Sequence, residues 1–223
     1  MSDETERTHL TERALQGEHD VNDRDVLRAL AKRWPDEAMR KLITELAVRD
    51  LYRPDRSDAP GALAEVWPDQ ATRKLLSELA ARDVYGPDRS VALRVLAEVW
   101  PDQATRNLLS ELAVEDEDEY CRDTALEELA DKFSDGGTRG LLTERAVEDK
   151  EALVRVTALG ALADKWPDAA TRKLLTERFI EDKETRVITL EVMAETWPDA
   201  ATRELVSRSA VEDQQDARSD QRG

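Results

Sequence analysis

The sequence predicts an all-α fold: a right-handed α-solenoid of about six helix-pair repeats, period 33, with an N-terminal capping helix. Three observations predict it. A Trp-Pro-Asp triplet stands at Trp34, Trp67, Trp100, Trp166 and Trp197, with Phe-Ser-Asp at Phe133, so the steps are 33 residues four times and then 31. A fixed period of this length marks a stack of similar supersecondary units, each burying its apolar face against its neighbours. The composition is that of helices: of 223 residues only 8 are Gly and 8 Pro, and aromatics make up 4%. Finally, the apolar residues around each triplet recur at helical spacing. In the stretch 154–182, Ala158, Leu159, Leu162, Ala163 and Trp166 fall on one face of a first helix, here called helix A.

Pro167 cannot continue the hydrogen-bond ladder of helix A, and Asp168 suits the N-cap of a second helix, helix B, where its carboxylate accepts orphan amide protons. Helix B carries Leu174, Leu175, Phe179 and Ile180 on its apolar side. The triplet thus reads as end, break and start.

Taken in order, the chain opens on a lone helix B near 5–17, because "THLTERALQG" at Thr8 aligns with "GLLTERAVED" at Gly140. Such a half-unit caps a stack by shielding its apolar end. The pairs then run 21–34 with 36–49, 57–67 with 69–82, 88–100 with 102–115, 118–133 with 136–148, 151–166 with 168–181, and 183–197 with 199–212. The units 21–49, 57–82, 88–115, 118–148, 151–181 and 183–212 form one domain over 1–212, and the polar tail 213–223 is read as disordered. In the second pair Pro60-Gly61 replaces the Leu93, Leu126 and Leu159 register, so that helix A starts late or bends, as a hinge or as a decayed unit.

An Ala stands three positions before each aromatic residue, at Ala31, Ala64, Ala97, Ala130, Ala163 and Ala194, as close helix approach requires. Trp34, Trp67, Trp100, Phe133, Trp166 and Trp197 are then structural core, each plugging the end of a helix A. Cutting a fully buried one to Ala would cost about 3–5 kcal/mol.

Composition and motifs bound the function. The formal net charge of −17 disfavours nucleic acid and anionic membranes; it reads as a means of solubility or a match to a salty cytoplasm, or else as a match to a protein partner with a basic surface. No run of 18 apolar residues occurs, the start lacks the pattern of a secretory signal, and one cysteine cannot form an internal disulfide, so a cytoplasmic monomer or weak oligomer is expected. Trp-Pro-Asp also names the acid loop of tyrosine phosphatases, but Cys121 is followed directly by Arg122 without the phosphate loop such enzymes need. The acidic run 115–119 lacks the Gly and distal Glu of a calcium loop, His9 and His19 form no zinc motif, and "GGTRG" at Gly136 is no phosphate-binding loop. No catalytic residue, metal or cofactor is expected.

Binding candidates lie in helix B and two loops. Arg40, Arg73, Arg106, Arg139, Arg172 and Arg203 share one register, and Glu45, Glu78, Glu111, Glu144 and Glu177 follow five positions later. They read either as an inter-unit salt-bridge ladder or as a charged binding stripe. The register beside the arginines varies as Lys41, Lys74, Asn107, Gly140, Lys173 and Glu204, which makes it the candidate for partner selectivity. Tyr52 in "YRPDRS" and Tyr85 in "YGPDRS" read as contact anchors beside a rigid turn, or as rings packed across their loops.

An Asp stands six positions before an Arg at the head of helix A: Asp50 and Arg56, Asp83 and Arg89, Asp116 and Arg122, Asp149 and Arg155. With "VRVTALGAL" at Val154, these pairs give the chain a resemblance to HEAT repeats, in the short bacterial form also described as bilin-lyase-type. The resemblance covers nearly the whole chain and implies a hydrogen-bond ladder between units through those four pairs. In the last unit Asp182 and Arg186 are only four apart, which departs from the pattern. It further implies a concave face built by helix B and a protein-interaction scaffold, like the repeats attached to bacterial NACHT-type signalling ATPases. An alternative that it also implies is a bilin-lyase-like subunit acting on a tetrapyrrole. A HEAT-like DNA glycosylase is disfavoured by the acidity.

Overall fold

In the computed structural model, which describes residues 3–16, 26–49, 59–81 and 86–208, each triplet breaks one helix and begins the next. The helices are α1 (Asp3–Gln16), α2 (Val26–Arg33), α3 (Glu37–Arg49), α4 (Ala59–Val66), α5 (Gln70–Ala80), α6 (Gly86–Val99), α7 (Gln103–Glu115), α8 (Glu119–Lys132), α9 (Gly136–Glu148), α10 (Ala152–Lys165), α11 (Ala169–Glu181) and α12 (Arg186–Thr196). Residues 200–208 form α13. The described residues contain no strand. None of their helices is long and apolar enough to cross a membrane.

The mechanism of each break is the same. The N–H of Trp34, Trp67, Trp100, Phe133, Trp166 and Trp197 donates to the carbonyl four residues earlier at 2.9 Å, which closes the last turn of helix A. The Asp that follows donates its own N–H to the aromatic residue's carbonyl at 2.8 Å, turning the chain. Its carboxylate then caps helix B: Asp168 Oδ1 accepts from the amides of Ala170 and Thr171, both at 3.0 Å, and Asp102 Oδ1 from Ala104 and Thr105 at 3.0 and 3.1 Å. An N-cap carboxylate both satisfies orphan donors and faces the positive end of the helix dipole.

The chain divides into two compact units, Met1–Glu128 and Leu129–Gly223, with the boundary inside α8. In the first unit α2 packs on α4 and α4 on α6, while α1 lies against α2, α3 against α4 and α5 against α6. In the second, α10 packs on α12, α9 against α10 and α11 against α12. In these pairings A helices stack on A helices, and the B helices α1, α3, α5, α9 and α11 lie against the helix A that follows. This is an all-α architecture of stacked helix pairs, of the general α-solenoid kind.

Small residues make the A-to-A contact possible. Ala31, Ala64, Ala97, Ala130 and Ala163 are buried, and so is a second small register at Ala59, Ala92, Ala125 and Ala158. Leucines such as Leu63, Leu96, Leu129 and Leu162 fill the remaining seam.

The aromatic residues differ from the expectation of core plugs: all six are half-buried, because each sits at the fraying end of helix A with one side left to the loop. Arginine covers part of that side, as Arg33 does over Trp34 at 4.7 Å and Arg172 over Trp197 at 5.8 Å from the ring centre. Pro60 lies buried in α4, and the helix start that Pro60-Gly61 is expected to delay adjoins residues 50–58, which lie outside the described residues. The last helix A starts at Arg186, three residues later than the spacing predicts, because the deletion turns 183–185 into a tight turn.

Candidate functional site

The recurring charges build two separate ladders. The first runs along the B helices. Arg40 donates from Nη2 to Asp69 Oδ1 at 2.7 Å and to Thr72 Oγ1 at 3.2 Å; Arg73 does the same to Asp102 and Thr105 at 2.6 and 3.3 Å. In the second unit Arg139 reaches Asp168 and Thr171, and Arg172 reaches Asp199 and Thr202. Each of these aspartates is the N-cap of the next helix B, so one carboxylate both starts a helix and accepts the preceding unit's arginine. Arg7 on α1 repeats the step, donating to both oxygens of Asp36 at 2.7 and 3.0 Å. That rung shows α1 to stand in the helix B register.

These carboxyls titrate low. The guanidinium of Arg40 first, then the Thr72 amide, hold Asp69 at about 2, and Arg73 with the Thr105 amide does the same for Asp102. Asp168 is lowered chiefly by the Thr171 amide, and Asp199 chiefly by Arg172.

The second ladder lies at the heads of the A helices and is buried. Arg155 Nε donates to Asp182 Oδ2 at 2.7 Å and Nη2 to Oδ1 at 3.3 Å, while Nη1 donates to the carbonyls of Asp149 and Lys150 at 2.9 and 3.1 Å. Arg122 holds the carbonyls of Asp116 and Glu117 in the same way at 2.8 and 3.1 Å. Arg89 donates to Asp116 Oδ1 at 3.1 Å, pairs its Nη2 with Oδ2, and reaches the Ala80 carbonyl at 2.8 Å. Arg155 therefore meets the main chain of its own unit's aspartate and the carboxylate of the next unit's. Burial alone would raise the Asp182 carboxyl, but Arg155 and the Thr185 amide outweigh it and hold the group at about 2. Arg186 leaves this pattern, donating to the carbonyls of Phe179 and Ile180 at 3.1 and 3.2 Å. Asp50, Arg56, Asp83, Tyr52 and Tyr85 lie outside the described residues.

The variable register is exposed throughout: Lys41, Lys74, Asn107, Gly140, Lys173 and Glu204 all face solvent. Three of these lysines pair within their own helix, Lys41 with Glu45 at 3.9 Å, Lys74 with Glu78 at 3.7 Å and Lys173 with Glu177 at 3.6 Å. The recurring glutamates are thus partners of the variable register and not of the arginine ladder. Where Asn107 replaces lysine it accepts from Gln103 at 2.8 Å, and beside Gly140 the Glu144 carboxylate turns to Arg145 at 2.6 Å.

Sequence reasoning missed the Thr72, Thr105, Thr138, Thr171 and Thr202 register, all buried beneath the first ladder. The recurrent "ATR" and "GTR" strings were its signal. Cys121 is buried, and that burial pushes its thiol up to about 12. Among the described residues no three His, Cys, Asp or Glu side chains gather as a metal site requires. Comparison of the chain with protein-family models, curated proteins and solved structures finds no match.

Proposed function

We propose that this chain is a non-catalytic protein-docking module built from HEAT-type repeats, about six in number and right-handed. One observation carries the reading. The recurring arginines and aspartates are used in struts between neighbours, whereas the exposed register beside the arginines changes from Lys to Asn, Gly and Glu. Uniform positions build the scaffold, and variable exposed positions are free to select a partner. The excess of acid, −17 overall, favours a partner with a basic surface and speeds its encounter.

Affinity capture tests this. The tagged chain is used as bait beside a variant in which Lys41, Lys74 and Lys173 are changed to Glu. The expected result is one protein retained near stoichiometry by the parent and lost by the variant. Equal retention by both removes the helix B register from the interface. A bound coloured chromophore with no retained protein overturns the docking reading in favour of tetrapyrrole chemistry.

A further inference from the structure

The last described pair of the second unit is less covered than the pair before it, and the repeat itself shows what would cover it. Leu159 and Ala163 on α10 and Leu175 on α11 are buried by the pair that follows. Their counterparts one repeat later fare differently: Leu190 and Ala194 on α12 are only half-buried, and Val206 on α13 is 39% exposed. Arg172 spends its guanidinium on Asp199 and Thr202, while its counterpart Arg203 stands exposed. The end thus presents an apolar strip beside an arginine. Every described rung of the first ladder shows the acceptor such an arginine takes, namely the N-cap Asp of a following helix B.

The first unit holds such an acceptor already occupied. Asp36 caps α3, accepting from the Met39 amide at 2.9 Å, and takes both Nη atoms of Arg7. Glu6 secures the neighbouring α2 through Arg33 at 2.6 and 2.8 Å. Arg7 stands in the Arg203 register, since both are the arginine of a helix B. Seen from the α2–α3 pair, α1 occupies the place that α13 of a second copy would take.

We propose that the α12–α13 end docks head-to-tail onto the α2–α3 pair of a second copy, and that α1 is a resident mimic of α13 that keeps this site closed. The contact is heterologous, with different surfaces on the two partners, so once opened it propagates into chains instead of stopping at a dimer. Charge complementarity selects the second copy: the exposed Arg203 meets a carboxylate already shaped for that guanidinium.

The test uses the full-length chain with Glu6→Ala and Arg7→Ala, which remove both ion pairs of α1 while keeping it in the best helix-forming residue. Sedimentation velocity across a concentration series is expected to show the parent as a monomer and the variant growing in mass with concentration. Adding Arg203→Glu to the same chain should return it to monomer. A variant that keeps the parent's circular dichroism and stays monomeric at every concentration overturns the proposal, and so does association that Arg203→Glu leaves intact. Should the double variant lose helicity, Arg7→Ala alone decides the matter by the same two readings, because Glu6 still holds α1 to Arg33.

Discussion

Two ladders of arginine and aspartate run through this protein, and they differ in burial far more than in chemistry. In the head-of-helix-A ladder, the side chains of Arg89, Asp116, Arg155 and Asp182 are all less than a tenth exposed. In the helix B ladder the carboxylates of Asp69, Asp102, Asp168 and Asp199 are about half exposed. The same pair of residue types therefore does two kinds of work. A buried charge that loses its partner has no water to replace it, so a buried rung is costly to break even where desolvation offsets most of what the intact pair contributes. An exposed rung that breaks is re-solvated at once, so it orients a helix more than it holds one.

The largest effect should come from Asp182→Ala, which takes the buried carboxylate from Arg155 and leaves its guanidinium the exposed Glu184 carboxylate at 2.7 Å and two main-chain carbonyls. A loss of about 2–3 kcal/mol in urea unfolding is expected, and a loss no greater than that of Asp199→Ala would erase the distinction between the ladders. Acid should reproduce the loss. The Asp182 carboxyl is depressed from 3.8 to about 2 in the fold, so its contribution is complete above its unfolded value and disappears as pH falls through the folded one. Stability is expected to hold from neutrality to about pH 4 and to fall from there towards about pH 2. Asp182→Ala should show a shallower fall across that window when unfolding is followed at each pH.

Trp197→Ala comes next. The ring is half-buried beneath Arg172, so about 1–2 kcal/mol is expected rather than the cost of a buried aromatic, with the fully buried Leu142→Ala as the larger-loss control. Thr189→Val approaches the same rule from the opposite side. Thr189 stands where the preceding units have Ala158 and Ala125, and its buried hydroxyl has no hydrogen-bond partner. Replacing it by a methyl of similar shape should stabilise the second unit by about 1 kcal/mol, read as a raised denaturation midpoint. The smallest effect belongs to Arg172→Ala in the exposed ladder: a denaturation midpoint close to the parent's, with a difference that shrinks further as salt is added.

Much of the fold was legible in the sequence because its signals are local. Pro167 and Asp168 end and cap helices through bonds within four residues. The candidate site was harder to read. The Arg40 and Glu45 registers were both visible as repeats, yet their partners were not, because period alone does not say which of two carboxylates a long side chain will reach. Arg40 takes Asp69, 29 residues on, and Glu45 takes the lysine in its own helix. Nor could spacing tell that Arg155 would grip a main-chain carbonyl on one side and Asp182 on the other.

By itself, then, the sequence determined what nearest neighbours along the chain decide: where helices break, which residues cap them, which faces are apolar, and that the pattern returns every 33 residues. Only the tertiary structure decided burial and partnership, leaving the tryptophans half-covered, Asp182 sealed and Asp199 wet. The physical reason is that solvent access depends on how closely one unit approaches the next. That distance is set by the packing of Ala163, Leu162 and their counterparts together, and no single position along the chain contains it.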